Sequence, residues 1–104
     1  GSIPTSLFQH QRVQVISLAF NKLSGEMWKG SWHVPELRVL NLGNNSLTGI
    51  IPRAVGNATK LMDFSLSGNK INGTIPTEIG NLSQLAFLNL VDNQLTGFIP
   101  TSLF

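Results

Sequence analysis

Cysteine and tyrosine are both missing from these 104 residues. Without cysteine there is no disulfide framework and no thiolate metal site. Charge is scarce as well, at 12% of residues, roughly half the usual share. Seven basic side chains against five acidic ones leave a net charge of +2. The basic residues (Arg12, Lys22, Lys29, Arg38, Arg53, Lys60 and Lys70) are scattered. No run of them would follow a phosphate backbone or an anionic membrane, so nucleic acid is not an expected partner. The acids Glu26, Glu36, Asp63, Glu78 and Asp92 are dispersed too, and His10 and His33 have no cluster of carboxylates beside them. Nothing resembles a nucleophile elbow, a P-loop or a metal-ligand motif. The expectation is a non-catalytic chain with no metal and no cofactor. A signal-peptide pattern and a membrane-spanning apolar run are also lacking. The chain opens without Met and in mid-repeat, which reads as a piece of something longer, reaching a membrane only through a segment outside it.

What is present is a period. Asn21, Asn45, Asn69 and Asn93 are each 24 residues apart, as are Gly25, Gly49, Gly73 and Gly97. Leu18, Leu42, Leu66 and Leu90 keep the same spacing, and so do Pro52, Pro76 and Pro100. Leu and Asn at a fixed period between 20 and 29 residues signal a solenoid, whose natural use is binding across a broad repetitive surface. The partition is a single array over 1–104: a partial repeat at 1–8, then full repeats at 9–32, 33–56, 57–80 and 81–104. Gly1–Phe8 matches Gly97–Phe104 at seven of eight positions, so the two ends share one phase.

Each column of the repeat has a physical reading. Ile16/Leu18, Leu40/Leu42, Phe64/Leu66 and Leu88/Leu90 alternate with small or polar residues, the pattern of a short strand with one buried face. Stacked coils then form a parallel sheet. The asparagines follow each strand, and an amide that both donates and accepts suits a ladder that satisfies the backbone where the chain leaves the sheet. The glycine column fits a positive-φ turn, and Pro after Ile suits a segment outside the sheet. Leu7, Val55, Ile79 and Leu103 should tuck inward from the opposite side. The stretch from Met27 to His33 departs from the rule, with Trp28 where the other repeats have Pro. Trp28 and Trp32 are expected to fill the gap left by the missing Ile-Pro unit, given the area a Trp buries.

The run Leu37-x-x-Leu40-x-Leu42-x-x-Asn45-x-Leu47-Thr48-Gly49-x-Ile51-Pro52 resembles the plant-specific class of leucine-rich repeat. It recurs from Leu61 and from Leu85, so the resemblance covers nearly the whole chain. It is greatest to the ectodomains of plant receptor-like kinases and receptor-like proteins. The resemblance implies an α/β-type leucine-rich-repeat solenoid: a right-handed superhelix with a concave parallel β-sheet and 3-10 segments and loops on the convex side. It also implies recognition of a peptide or protein ligand, a co-receptor, or both. The paired-Cys caps, transmembrane helix and kinase of such receptors are not in the sequence.

Four Asn-x-Ser/Thr sequons begin at Asn44, Asn57, Asn72 and Asn81. Asn57 and Asn81 share a column outside the strands and are the better acceptors, whereas a glycan on Asn44 would crowd the concave face. Taken with the resemblance, they predict an extracellular, secretory-pathway location. Packing does not dictate the outward positions of the strands, so binding is expected there. Arg38, Asp63, Phe87 and Asp92 are the leading candidates, because charge and exposed aromatics carry recognition energy. Asn41, Ser65 and Asn89 make a polar row beside them. Other readings stay open: a structural spacer within a longer array, a small secreted protein that binds ice through that polar row, or a hydrolase inhibitor. Coils without caps should expose apolar edges, including Phe8 and Phe104, and favour end-to-end self-association.

Overall fold

The computed structural model describes residues 1–97 and 99–100. Four short strands, β1 (Val15–Ser17), β3 (Val39–Asn41), β5 (Asp63–Ser65) and β7 (Phe87–Asn89), pair in parallel in the order β1-β3-β5-β7. The register is set by the repeat. Ile16 pairs with Leu40, Leu40 with Phe64 and Phe64 with Leu88, a spacing of one repeat at every step. The central residue of each strand points into the core, and Leu40 and Phe64 are fully buried. Leu42 and Leu66 are fully buried behind them, as are Leu47 and Ile71. The corresponding Leu18, Leu23, Leu88, Leu90 and Leu95 in the outer coils are partly buried, each coil covering its apolar edge only against a neighbour.

A second set of strands runs along the flank: β2 (Ser24–Glu26) with β4 (Ser46–Thr48), and β6 (Asn72–Gly73) with β8 (Gln94–Leu95). Lys70 and Asn72 donate to the carbonyls of Leu47 and Gly49, both at 2.8 Å, so the backbone ladder continues between the two pairs. Its register steps by two residues fewer than the repeat, Ser24 meeting Ser46 and Asn72 meeting Gln94. Residues of one sequence column are therefore not neighbours across this flank. The glycine column turns the chain beside it, with Gly25, Gly49, Gly73 and Gly97 all at φ between +75° and +81°. That region is open to Gly at no steric cost.

Among the described residues, three 3-10 segments line the convex side: η1 (Thr5–Gln9), η2 (Arg53–Asn57) and η3 (Thr77–Asn81). Each starts directly after a proline, Pro4, Pro52 or Pro76, whose φ of −61° to −72° is the value the ring imposes. Val55 and Ile79 are buried on these segments and Leu7 is partly buried; Leu103 lies outside the described residues. The second coil carries Trp28 in place of Pro and has no 3-10 segment. There Met27 and Trp32 are buried, while Trp28 remains 39% exposed. Trp32 stacks on Phe8 with ring centroids 4.4 Å apart, and its indole Nε1 donates to the Trp28 carbonyl at 2.8 Å. Of the two tryptophans, only Trp32 fills the core. Phe8, expected at an exposed edge, is fully buried beneath it, because Trp32 supplies the ring that covers it; Phe104 lies outside the described residues.

Candidate functional site: the concave face

Strands β1, β3, β5 and β7 place two rows of side chains on the face opposite the core. One row is Val15, Val39, Asp63 and Phe87, and the other is Ser17, Asn41, Ser65 and Asn89. The residues just before each strand (Gln14, Arg38, Met62, Ala86) and just after it (Ala19, Gly43, Ser67, Val91) widen this surface. The backbone ladder extends on both sides, with Met62 N donating to Arg38 O at 2.8 Å and Leu42 N to Ser65 O at 2.9 Å. These side chains thus stand on a continuous hydrogen-bonded platform.

The sequence candidates fall into three groups on it. Arg38 and Asp63 are half-buried on adjacent coils, and Asp63 N donates to the Arg38 carbonyl at 3.1 Å. Their side chains do not pair; among the described residues the ion pairs are Lys29–Glu26 and Lys60–Glu36, neither of them on this face. Both charges are left to solvent or to a partner. Phe87 is the register partner of Asp63 and is 69% exposed. Asn41, Ser65 and Asn89 are partly committed to their own coils. Asn41 Oδ1 accepts from Gly43 N at 3.1 Å and Asn89 Oδ1 from Val91 N at 3.2 Å. Ser65 Oγ lies 3.3 Å from Ser67 Oγ. The amide donors of Asn41 and Asn89 make no hydrogen bond among the described residues, and they are what this row offers a ligand. Asp92 stands apart, beyond the strand ends.

Asp92 belongs to a column with a property of its own. Among the described residues, Phe20, Asn44 and Asp92 are the non-glycine residues with positive φ, at 58°, 55° and 59°, and Gly68 shares the position at 69°. Asn, Asp and Gly are the residues that tolerate this left-handed turn. Phe20 does so only at a cost, and it is 82% exposed. Residue-type reasoning passed over it. The signal was available, because an Asn/Gly/Asp column marks the turn and makes the Phe the odd member. Val15, Met62 and Val91 on the same face are exposed at 58%, 41% and 62% and were likewise passed over.

Behind this face the side chains of Asn45, Asn69 and Asn93 join coil to coil. Asn45 Nδ2 donates to the carbonyls of Leu18, Leu42 and Gly43, and its Oδ1 accepts from Asn21 N and Leu23 N. Asn69 and Asn93 repeat the arrangement, Asn93 Oδ1 accepting from Ile71 N at 2.9 Å. Asn21 reaches only the carbonyls of Leu18 and Ala19. All four sequon asparagines are exposed: Asn57 and Asn81 close η2 and η3, Asn72 lies in β6, and Asn44 occupies the left-handed turn.

Two open cavities lie off the concave face. One, of about 400 Å³, sits beside Ile50, Arg53, Thr74 and Glu78. The other, of about 440 Å³, sits beside Trp32, His33 and Asn57 on the convex side. Among the described residues no group of three or more His, Asp or Glu side chains is placed to hold a metal ion, and no helix is long and apolar enough to cross a membrane. His10 acts structurally, its Nδ1 accepting the N–H groups of Arg12 and Val13 at 3.1 and 2.9 Å.

The leucine-rich repeat profile matches residues 35–95. Curated proteins contain no match. Among solved structures, the plant peptide hormone receptor RGFR1 in complex with RGF2 superposes with a TM-score of 0.94 at 34% identity, over 98% of this chain and 16% of the receptor. The BIR3–SERK2 complex of Arabidopsis thaliana gives 0.91 at 38% identity, over 99% of this chain and 55% of the matched one. The ectodomain of the Arabidopsis receptor kinase HAESA, solved with an N-terminally extended IDA peptide hormone, gives 0.90 at 41% identity, over 95% of this chain and 16% of that one. The chain thus spans about half or less of each of these structures. With its parallel concave sheet, its asparagine-bonded turns and its proline-led 3-10 segments, the chain belongs to the leucine-rich repeat family, in the form found in plant receptor ectodomains.

Proposed function

We propose that this chain contributes a recognition surface to an extracellular plant receptor and binds a peptide or protein, as ligand or co-receptor, through its concave face. One observation carries this reading. Of the eight exposed large hydrophobics among the described residues, five (Val15, Phe20, Met62, Phe87 and Val91) stand on the concave face or at its margin. Monomeric surfaces scatter such residues singly, and their gathering on one face marks an interaction site. Arg38 and Asp63, with no ionic partner among the described residues, supply polarity between the apolar ends. Aromatic anchors around a charged centre are the make-up of a binding hot spot. The solved receptors that the chain resembles are described in complex with peptide hormones and co-receptors. Ice binding is less favoured, because the acceptors of Asn41, Ser65 and Asn89 already serve the backbone.

The test is a binding screen of the secreted, immobilised chain against a library of plant extracellular peptides and co-receptor ectodomains. Phe87→Ala and Arg38→Ala should each weaken any binder about tenfold or more, in line with hot-spot losses of 1–2 kcal/mol. Lys60→Ala, on the convex side, should leave it unchanged. Binders that ignore the concave substitutions would sink this reading, and their loss on convex substitution would move the site.

A further inference from the structure

The convex cavity of about 440 Å³ exists because the second coil lacks a 3-10 segment. Where η2 and η3 follow one another the coils are in close contact: a Cβ added to Gly56 would lie 2.7 Å from the Glu78 carbonyl oxygen. Between the second and third coils, where only one such segment is present, a recess opens instead. Its size falls within the roughly 300–1,000 Å³ of small-ligand sites. Asn57, the first residue of a sequon and the last of η2, forms part of its wall. Asn81, one repeat on at the same phase, lines neither of the two cavities.

The chemistry of the recess suits a sugar. Gln11, His33 and Thr59 line it with an amide, an imidazole and a hydroxyl, all on exposed residues whose side chains make no hydrogen bond among the described residues. Pro35 adds exposed apolar surface, with the buried Trp32 ring beneath. Hydroxyl and acetamido groups hydrogen-bond to the former, and the C–H face of a pyranose packs on the latter. The amide of Asn57 has no hydrogen bond among the described residues to give up on modification. We infer that Asn57 carries an N-linked glycan whose first N-acetylglucosamine lies in this recess and braces the irregular Met27–His33 segment against the third coil. The glycan on Asn81 projects into solvent and braces nothing. This inference rests on the extracellular reading above.

The experiment uses the full chain secreted from cells that make high-mannose glycans. Glycopeptide mass spectrometry gives occupancy at Asn57 and Asn81. An endoglycosidase then leaves one N-acetylglucosamine at each occupied site. The one-sugar protein should melt about 4 °C above its Asn57→Gln variant, a shift typical of a modest stabilisation in a domain of this size. Asn81→Gln should change Tm by less than about 1 °C. His33→Ala and Gln11→Ala should remove the gain in the glycosylated protein and leave the Asn57→Gln background unaffected, the coupling that a double-mutant cycle isolates. An occupied Asn57 whose one-sugar form melts with the Asn57→Gln variant overturns the inference. So does a bare Asn57 beside an occupied Asn81, which leaves the extracellular reading standing. Bare asparagines at both sites overturn the two together.

Discussion

The side chain of Asn69 takes the backbone N–H of Leu47, one coil away, at 3.0 Å. Its Nδ2 donates to the carbonyls of Leu42, Leu66 and Ser67, at 3.0, 3.0 and 3.3 Å. One amide therefore serves four backbone groups on two coils, and Asn69 is the buried polar side chain among the described residues. Asn69→Ala leaves those groups unpaired in the interior and should cost about 2–4 kcal/mol. Asn69→Asp keeps the acceptor but turns a carboxylate toward three carbonyls, and should be no better tolerated. Asn21→Ala loses two bonds on an exposed turn and should cost less than about 1 kcal/mol. Urea denaturation of the three variants checks the ranking, and an equal cost for Asn21 and Asn69 would refute it.

Gly56 and Gly25 are required for different reasons. A Cβ on Gly56 would meet Glu78 O at 2.7 Å and Glu78 Cβ at 2.9 Å, so η2 and η3 must separate to admit it. Gly56→Ala should cost about 1–3 kcal/mol through overpacking. Gly25 has open space, its nearest neighbour being Ser2 Cβ at 3.9 Å, but it sits at φ +78°. Gly25→Ala should cost about 1–2 kcal/mol through backbone strain alone. Hydrogen exchange separates the two mechanisms. The Leu82 amide, bonded to the Ile79 carbonyl at 3.1 Å, should exchange faster in Gly56→Ala and be unaltered in Gly25→Ala.

The two tryptophans should differ as much. Trp32 is 2% exposed and stacked on Phe8, so Trp32→Ala should cost about 3–5 kcal/mol. Trp28 is 39% exposed, with its indole Nε1 on the Ser31 carbonyl at 3.1 Å, and Trp28→Ala should cost about 1 kcal/mol or less. Thermal denaturation measures both. A large loss at Trp28 would mean that the Met27–His33 segment is held from outside the core.

What the sequence carried was the part governed by its period. A 24-residue spacing of Leu and Asn dictates stacked coils, and the alternation around Leu40 and Phe64 dictates which face is buried, so the concave sheet and its register follow directly. The flanking sheet did not follow, because β2 and β4 pair with a two-residue stagger that superposed repeats do not reveal. Phe8 differs for another reason: its cover, Trp32, lies one repeat on in the same column, but that column holds Gly at 56 and 80, so the superposed repeats do not mark it as an aromatic stack. On the candidate site, residue type pointed to Arg38, Asp63 and Phe87. The turn at Phe20, Asn44, Gly68 and Asp92 was legible in its Asn/Gly/Asp column, but that the Phe20 ring is exposed there, like Val15, Met62 and Val91, needs a surface.

Phe20 gives the last prediction, because fold and function oppose each other there. An L-residue in the left-handed region gives up about 1–2 kcal/mol, less for Asn. The next coil places Asn44 at the same turn with φ of 55°, so the conformation accepts Asn without rearrangement. The Phe20 ring is 82% exposed and so contributes little packing in return. Phe20→Asn should therefore stabilise the chain, by about 0.5–1 kcal/mol. If the concave face binds a partner, the same substitution should weaken that complex about tenfold, the loss of one aromatic anchor. Improved stability with impaired binding is the expected trade-off at a functional position. Chemical denaturation and a binding titration on the one variant read both effects. Stability that falls would show that the ring packs within the fold, and binding that is unchanged would remove Phe20 from the recognition surface.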